Sequence, residues 1–529
     1  MQARRYQSGR ARAQVDAFPP LLEDYVGQDN PVRAIDVYVD ALDLSALGFS
    51  HTDAGVRRGQ PAYSPAMLLK LYLYGYLHRV RSSRRLAQET RRNLEMIWLV
   101  EHQQPSHTVI ARFRAENAVA LKRTCRDFVE LCRDLALVGG ETVGIDGTFI
   151  HADASKASIV TQRSLEKRRQ QLEQSIEAYL NDLNEADQHE AQAPPPNPAL
   201  AEKLERWMAE RDACQAQWDQ MQAEGEKQLS QTDPDARLLC KSGQTVAGYN
   251  LQIAVDAKHK LIVEHEVTNA GNDSGQLDVM AKRSQAVLGV ETLRVLADGG
   301  YYHQEGIRCC IEAGITPYVA LPRNKSSAKA EGRFDREAFT YDAQQDVYHC
   351  PGDKTLAPQS KQVKSGKRMM RYASRRTDCA ACPLKARCLP KTNAYRSLYR
   401  WEHEAVIDAH KQRMAETGRE KMRQRAALAE HPFGTLKCQM GWRHALVRGF
   451  EKVRGEVGLL ILSYNFRRVL NLIGVARLRD YCAQRARRAA EIQADPDAVA
   501  QNGFFRRIRR AGKAFWARVQ NDYALPSLA

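Results

Sequence analysis

Apolar positions change their spacing several times along the chain, and each change marks a new kind of element. From Asp36 to about Val138 they recur at helical intervals. Ser64-Pro65 is an N-cap and first-turn pair opening the run AMLLKLYLYGYL, which is too short to span a bilayer and reads as a buried helix. Next come SSRRLAQETRRNLEMIWLV and, after Pro105, SHTVIARFRAEN. Two helices across a short break, the second opened by a Ser cap and carrying Arg112 and Arg114, read either as a helix-turn-helix or as an ordinary helical layer with solvated arginines. After Gly139-Gly140 the period drops to two: VGIDGTFIHAD, Val143 to Asp153, reads as a core strand with Asp146 at its middle.

Residues 162–230 turn polar and helical, with Leu165, Leu172, Ile176, Tyr179 and Leu183, then Leu204, Trp207, Cys214, Trp218 and Met221, at heptad spacing on either side of APPPNP. An antiparallel helical hairpin is expected, inserted into the fold, with Arg211 its one polar intruder. Strands resume at AGYNLQIAVD (Ala247 to Asp256) and LIVEHEVTN (Leu261 to Asn269), followed by a helix over Gln276 to Val287. LRVLADGGYY gives a buried strand ending in Asp298, then come a helix (Gln304 to Ala313) and a strand (Pro317 to Leu321). A meander followed by alternating helix and strand predicts a mixed sheet flanked by helices. Residues 324–393 break the pattern and read as loop-rich and basic. A charged helix follows from about Tyr399, running toward AEHPFGTLK, where Pro432 and Gly434 disfavour helix interior. VRGEVGLLILSYNFRRVLNLIG is a further apolar helix.

Length and charge narrow the classes. A chain of 529 residues exceeds one core, and its net charge of +16 attracts polyanions, nucleic acid before an anionic membrane surface. The basic arm at residues 1–20 and the cluster FFRRIRRAGKAFWARV near the end suit phosphates, or are simply solvated. No signal-peptide core opens the chain and no stretch reads as a transmembrane helix, so a cytoplasmic, nucleoid-associated protein is expected. Twelve Cys in so long a chain are no disulfide framework. Cys350, then Cys379, Cys382 and Cys388 in DCAACPLKARC, have the spacing of a tetrahedral structural zinc site, free thiols being the alternative.

Three carboxylates stand out: Asp146 mid-strand, Asp298 at a strand end and Glu430 on the late helix. Asp146 alone is either a satisfied structural Asp or a metal ligand. If the three converge, their repulsion disfavours joint ionisation, and two divalent ions would relieve it. Hard oxygen ligands suit Mg2+ or Mn2+. Asp153, pointing to the opposite sheet face, Asp233, Asp235 (read as pairing with Arg237) and Asp273 (read as a helix N-cap) are weaker candidates.

With SPAMLLKLYLYGYLHRVRSSRRL, PSHTVIARFR, IDGTFIHADAS, TDPDARLL, GYNLQIAVD, VTNAGNDSGQL, LADGGYY, CPLKARC, AEHPFGTLK and SYNFRR, the chain resembles bacterial insertion-sequence DDE transposases from about Tyr63 to Arg468. The resemblance implies an α/β fold: an RNase H-like mixed sheet flanked by helices, with a helical N-terminal domain, a helical-hairpin insertion and a four-cysteine zinc-ribbon-like insertion. It implies that Asp146, Asp298 and Glu430 are the catalytic and Mg2+- or Mn2+-binding triad. Arg425 and Lys437 fit the family's signature on the acidic helix as phosphate-gripping residues, while Met422 stands where a Tyr is usual.

The expected division is 1–138, a DNA-binding helical domain, then 139–475, a catalytic domain with insertions 162–230 and 324–393, then 476–529, a basic helical tail. The activity implied is binding of terminal inverted repeats, hydrolysis of a phosphodiester there, and joining of the freed end to target DNA. At least a homodimer in the synaptic complex is expected, with no membrane partner. A DNA-binding repressor without chemistry, or a Mg2+-dependent nuclease without joining, are the alternatives.

Overall fold

The computed structural model describes residues 21–52, 61–188, 198–241, 243–322 and 327–494. The chain starts as helices: α1 (Pro31–Asp40), α2 (Leu44–Leu47), α3 (Pro65–Leu77), α4 (Ser83–Arg92), α5 (Leu94–Leu99), α6 (His107–Glu116) and α7 (Ala118–Asp134). Local chemistry sets their starts. Pro31 and Pro65 sit in first turns, the Asn30 side chain accepts from the Val32 amide, and Ser106 Oγ accepts from the Val109 amide. The whole circumference of α3 is buried from Met67 to Tyr76, including Lys70, which pairs with Asp36 at 2.6 Å and Asp40 at 2.7 Å.

A six-stranded mixed sheet forms the centre. Its strands are β1 (Thr142–His151), β4 (Arg237–Lys241), β5 (Gln244–Asp256), β6 (Ile262–Thr268), β7 (Leu293–Ala297) and β8 (Ile315–Val319). The order is β4-β5-β1-β7-β8, with β6 also on β5; β5 runs antiparallel to β1, while β1, β7 and β8 are parallel. Helices α10 (Leu277–Leu288) and α11 (Gln304–Glu312) make the crossovers. β4 was not expected from the sequence.

The hairpin is present as α8 (Gln162–Gln188) and α9 (Pro198–Ala223), rooted on a two-stranded ribbon of β2 (Ile159–Thr161) and β3 (Gln228–Ser230). Leu165, Leu172, Cys214 and Met221 form its buried seam, whereas Leu183 is exposed. The proline-rich turn lies mostly outside the described residues.

Residues expected to be loop-rich instead form a second sheet: β9 (Thr340–Asp342), β10 (Val347–His349), β11 (Thr355–Lys364), β12 (Lys367–Ala373) and β13 (Ser397–Trp401), in the order β13-β12-β11-β10-β9. Short helices α12 (Ser327–Ala330), α13 (Arg376–Ala380) and α14 (Lys385–Cys388) flank it. The expectation failed because this sheet has a core of its own, Phe339, Tyr348, Leu356, Tyr372 and Leu398, whose members are far apart in sequence.

The chain ends in α15 (Glu404–Gly434), a π-helical turn at Thr435–Gln439, and α16 (Phe450–Ala494), broken at Gly474 where φ is 78°. By length and composition α16 is apolar enough over Phe450–Arg488 to cross a membrane, contrary to expectation. It packs against α7, α1, α3 and β6, which is the position of a core helix. Tyr38, Phe128 and Phe466 meet there with ring centroids 5.2–5.7 Å apart, so one apolar core runs from the first helices through the sheet to the last helix. Glu264 and Glu266 on β6 add polar ties, to Arg126 at 2.9 Å and Lys122 at 2.7 Å on α7, and to Arg454 on α16 at 3.2 Å. The basic aromatic cluster at 504–519 and the arm at 1–20 lie outside the described residues.

Candidate active site

Strand pairing does the first part of the assembly. Thr142, Val143 and Gly144 of β1 lie beside Arg294, Val295 and Leu296 of β7. Continued two residues further, the same offset sets Asp298 beside Asp146. Asp298 ends its strand by capping the short 3-10 turn Gly299–Tyr301, its Oδ1 accepting from the Gly300 amide at 2.9 Å.

Alternation puts Gly144, Asp146 and Thr148 on one face of β1, and α15 lies across that face. Leu428 sits where a Cβ at Gly144 would be 3.2 Å away, so the missing side chain permits the helix's close approach. Arg425 Nη1 is 3.1 Å from Asp146 Oδ2, and Asp146 Oδ1 accepts from the Gly147 amide at 2.8 Å. Lys437, from the π-helical turn, donates to Thr148 Oγ1 at 2.5 Å. A guanidinium and an ammonium thus flank the acidic end of the strand.

Glu430 stands near the end of the same helix. It is exposed on α15, because Leu428, Ala429 and Pro432 take the buried face. At about 100° per residue it points roughly 140° away from Arg425. Glu430 and Lys437 are also not carried on one regular helix: Pro432 lies inside α15 and the winding loosens to π just after it. Among the described residues, no three Asp, Glu, His or Cys side chains are gathered tightly enough to hold an ion.

The other face of β1 carries a polar cluster that sequence reasoning missed. Asp273 is 6% exposed, and its Oδ1 accepts from Asn250 Nδ2 at 2.9 Å and Gln252 Nε2 at 2.7 Å. It does not cap α10, whose N-cap is Gln276. Gln252 Oε1 accepts from the Tyr301 hydroxyl. Burial pushes that hydroxyl's pKa well above the ordinary value; the charges of Asp273, Asp146 and Asp298 push the same way and Arg425 opposes them. The available signal was Asn250 and Gln252, two amides at period two on an otherwise apolar strand.

The remaining candidates are structural. Asp235 does not pair with Arg237, which bridges to Glu226 at 3.2 Å; Asp235 Oδ2 instead accepts from the Phe450 amide at 2.8 Å, at the start of α16. Asp233 Oδ1 accepts from Tyr249 and from the Gly449 amide. Asp153 lies beyond β1 and pairs with Arg448 at 2.9 Å. Arg112 is exposed on α6, but Arg114 is buried against the Tyr72 ring, 5.7 Å from its centroid. A guanidinium packed there is not presented to a duplex, which corrects the expectation for Arg114.

Cys350, Cys379, Cys382 and Cys388 line one cavity of about 30 Å³ in the second sheet's region. Burial pushes the Cys388 thiol's pKa up, and the other three cysteines add to this while Arg396 opposes it. The four thiols line one space, and among the described residues they are not drawn close enough to form an ion-holding cluster.

Comparison with known proteins agrees with this layout. Residues 20–116 match the family described as a transposase domain (DUF772), and residues 349–470 match the transposase DDE domain family. The first match covers the opening helices, and the second covers most of the second sheet together with α15 and much of α16. In both stretches the chain is similar to transposases, and in the second to those of the DDE type. No curated protein matches it. A solved synaptic complex of the piggyBac transposase with hairpin DNA aligns at 8% identity over 92% of this chain and 83% of that one. Its TM-score of 0.25 is too low to carry any argument here.

Proposed function

We propose that the protein binds the terminal inverted repeats of an insertion sequence, cuts a phosphodiester there with Mg2+ or Mn2+, and joins the freed 3′-hydroxyl to target DNA. The observation that carries this reading is the β1–β7 register, Gly144 against Leu296, which extended by two residues brings Asp298 beside Asp146, and both charges bear on the Tyr301 hydroxyl. The donor set is hard oxygen, which Mg2+ and Mn2+ prefer, and Gly300 beside Asp298 is exposed. When bound, the metal supplies charge neutralisation at the scissile phosphate and activates the attacking oxygen.

The protein's own groups position the DNA. Arg425 and Lys437 stand beside Asp146 and Thr148, where both cations face the backbone of a bound strand. Arg112 adds a contact from α6. Glu430 supplies the third carboxylate once the end of α15 rewinds around Pro432 and the π-helical turn. Cys350, Cys379, Cys382 and Cys388 close on a structural zinc ion. The enzyme works in the bacterial cytoplasm, at the nucleoid, as at least a dimer on two DNA ends.

The test uses purified protein, labelled terminal-repeat duplex and Mn2+. Cleavage with joined product supports the proposal. Cleavage alone makes the protein a nuclease, and a mobility shift alone makes it a repressor. Bound metals, measured on the purified chain, decide the zinc assignment.

A further inference from the structure

Asp273 lies on the opposite side of β1 from α15, and its carboxylate holds two amides, one of which receives the Tyr301 hydroxyl of the turn that follows Asp298. Its Oδ1 accepts from two amides, Gln252 Nε2 and Asn250 Nδ2. An ionised carboxylate only accepts, so both amides must turn their NH2 groups toward it. That orientation leaves Gln252 Oε1 facing away, and there it accepts from the Tyr301 hydroxyl. Asn250 Oδ1 accepts from Gln252 Nε2 at 3.0 Å, which locks the same orientation from a second side.

Tyr301 closes the 3-10 turn that Asp298 opens, and it is fully buried. The turn is therefore pinned at both ends, by Asp298 on the Gly300 amide and by the Tyr301 hydroxyl on Gln252. Gly300 lies between them. A Cβ there would be 3.0 Å from Asp298 Oδ1 and 3.5 Å from Asp273 Oδ2, so only glycine leaves the space between the two carboxylates clear.

We infer that Asp273 is a positioning residue for the metal-binding Asp298, acting through Gln252 and Tyr301. The inference rests on the proposed metal-dependent reading, but its chain of contacts is separate from the α15 side of the site. Asp273→Ala removes the oxygen to which both amides donate, so neither amide is held in its orientation. Tyr301→Phe removes the hydroxyl at the far end of the same chain while keeping the ring.

The experiment is Mn2+ titration of the full chain, followed by calorimetry or by the spin resonance of free Mn2+, with melting recorded for each variant. Each single variant is expected to bind Mn2+ about tenfold more weakly, as loss of an outer-shell partner does. The double variant is expected to bind no more weakly than the worse single one, because both changes break one chain. Multiplying losses in the double variant, or singles that melt normally and bind Mn2+ like the wild type, would overturn the inference while leaving the function intact. If the wild-type chain takes up no Mn2+, with or without terminal-repeat DNA, the metal-dependent reading falls first and takes this inference with it.

Discussion

The protein offers two places where a metal is expected, and they are built in opposite ways. Asp146 and Asp298 come from neighbouring strands within the large core, and hydrogen bonds in the parallel register set their spacing before any ligand arrives. The four cysteines come from loops and short helices around a small sheet whose core is five residues. Strand pairing runs up to the two carboxylates, whereas the thiols stand in turns and short helices beside the second sheet. On the proposed reading, metal would serve chemistry in the first place and folding in the second.

The sharpest way to break that contrast is a set of three substitutions. Asp298→Asn is expected to lower strand cleavage by at least about a thousandfold, since groups acting as one catalytic unit fail together. It should leave melting unchanged. Glu430→Gln should match it if the end of α15 rewinds on DNA; near-normal cleavage by that variant would remove Glu430 from the active set. Cys382→Ser is expected to behave in reverse. Limited proteolysis within 327–401 should quicken roughly tenfold, which corresponds to an opening free energy lower by about 1.4 kcal/mol. The main core should melt as before. A chelator that strips zinc should do the same to the native chain and nothing further to Cys382→Ser. Equal effects of the cysteine and aspartate changes on both readouts would erase the distinction between the two regions.

The contrast also separates what could be read in the sequence from what could not. β1, β5, β6 and β7 announced themselves by β-branched runs between turn residues, and the heptads of α8 and α9 are visible by counting. Each is a local pattern, decided within about ten residues. The second sheet is decided by Phe339, Tyr348, Tyr372 and Leu398 meeting across sixty positions, with lysines and arginines alternating between them, so locally it looks like basic loop. Asp146 and Asp298 were legible because a carboxylate inside one β-branched run and another at the end of a second stand out against apolar neighbours. The direction of Glu430 was not, because it depends on how α15 accommodates Pro432. Asp273 was read as a cap from its Gly-Asn-Asp context; only the pairing of β5 with β1 shows Asn250 and Gln252 turned toward it.

The large core has a weakness of its own, at the seam between α7 and β6. Burial, with Lys122 beside it, holds His265 down at about 4 from an ordinary 6.5. Burial works against Glu264, but Arg126 and Lys122 hold it down at about 2, and Glu266 is lowered too by Lys122, Arg283 and Arg454. Each group's folded pKa lies below its unfolded one, so each contributes stability at neutral pH that is lost on acidification. Melting temperature should decline from about pH 6.5 as His265 is forced to charge, then again below about 4.5 as the glutamates take up protons. His265→Gln should remove the first decline and keep the second. A flat profile between pH 7 and 5 would show that His265 does not couple to folding.

The smallest expected effect tests whether the second sheet does anything besides fold. Residues 327–401 hold sixteen Lys and Arg against seven Asp and Glu, a net +9 of the chain's +16. Lys361, Lys364 and Arg368 are exposed around the tight β11–β12 turn, where Ser365 and Gly366 both have positive φ and Val363 is 72% exposed. Beyond Leu356, β11 is not paired to β10, so this ribbon ends as an edge. Lysines on an open edge already serve to prevent strand-to-strand aggregation, and that alone would account for them. Contact with DNA phosphates makes a further, quantitative demand. Each phosphate neutralised contributes about 0.9 to the slope of log affinity against log salt. Lys361→Gln combined with Lys364→Gln should then lower the slope for terminal-repeat DNA by about two, with cleavage at saturating DNA unchanged. An unaltered slope, together with a new tendency to self-associate, would leave the ribbon as edge protection alone, and the second sheet as a folding unit with no hold on DNA at its tip.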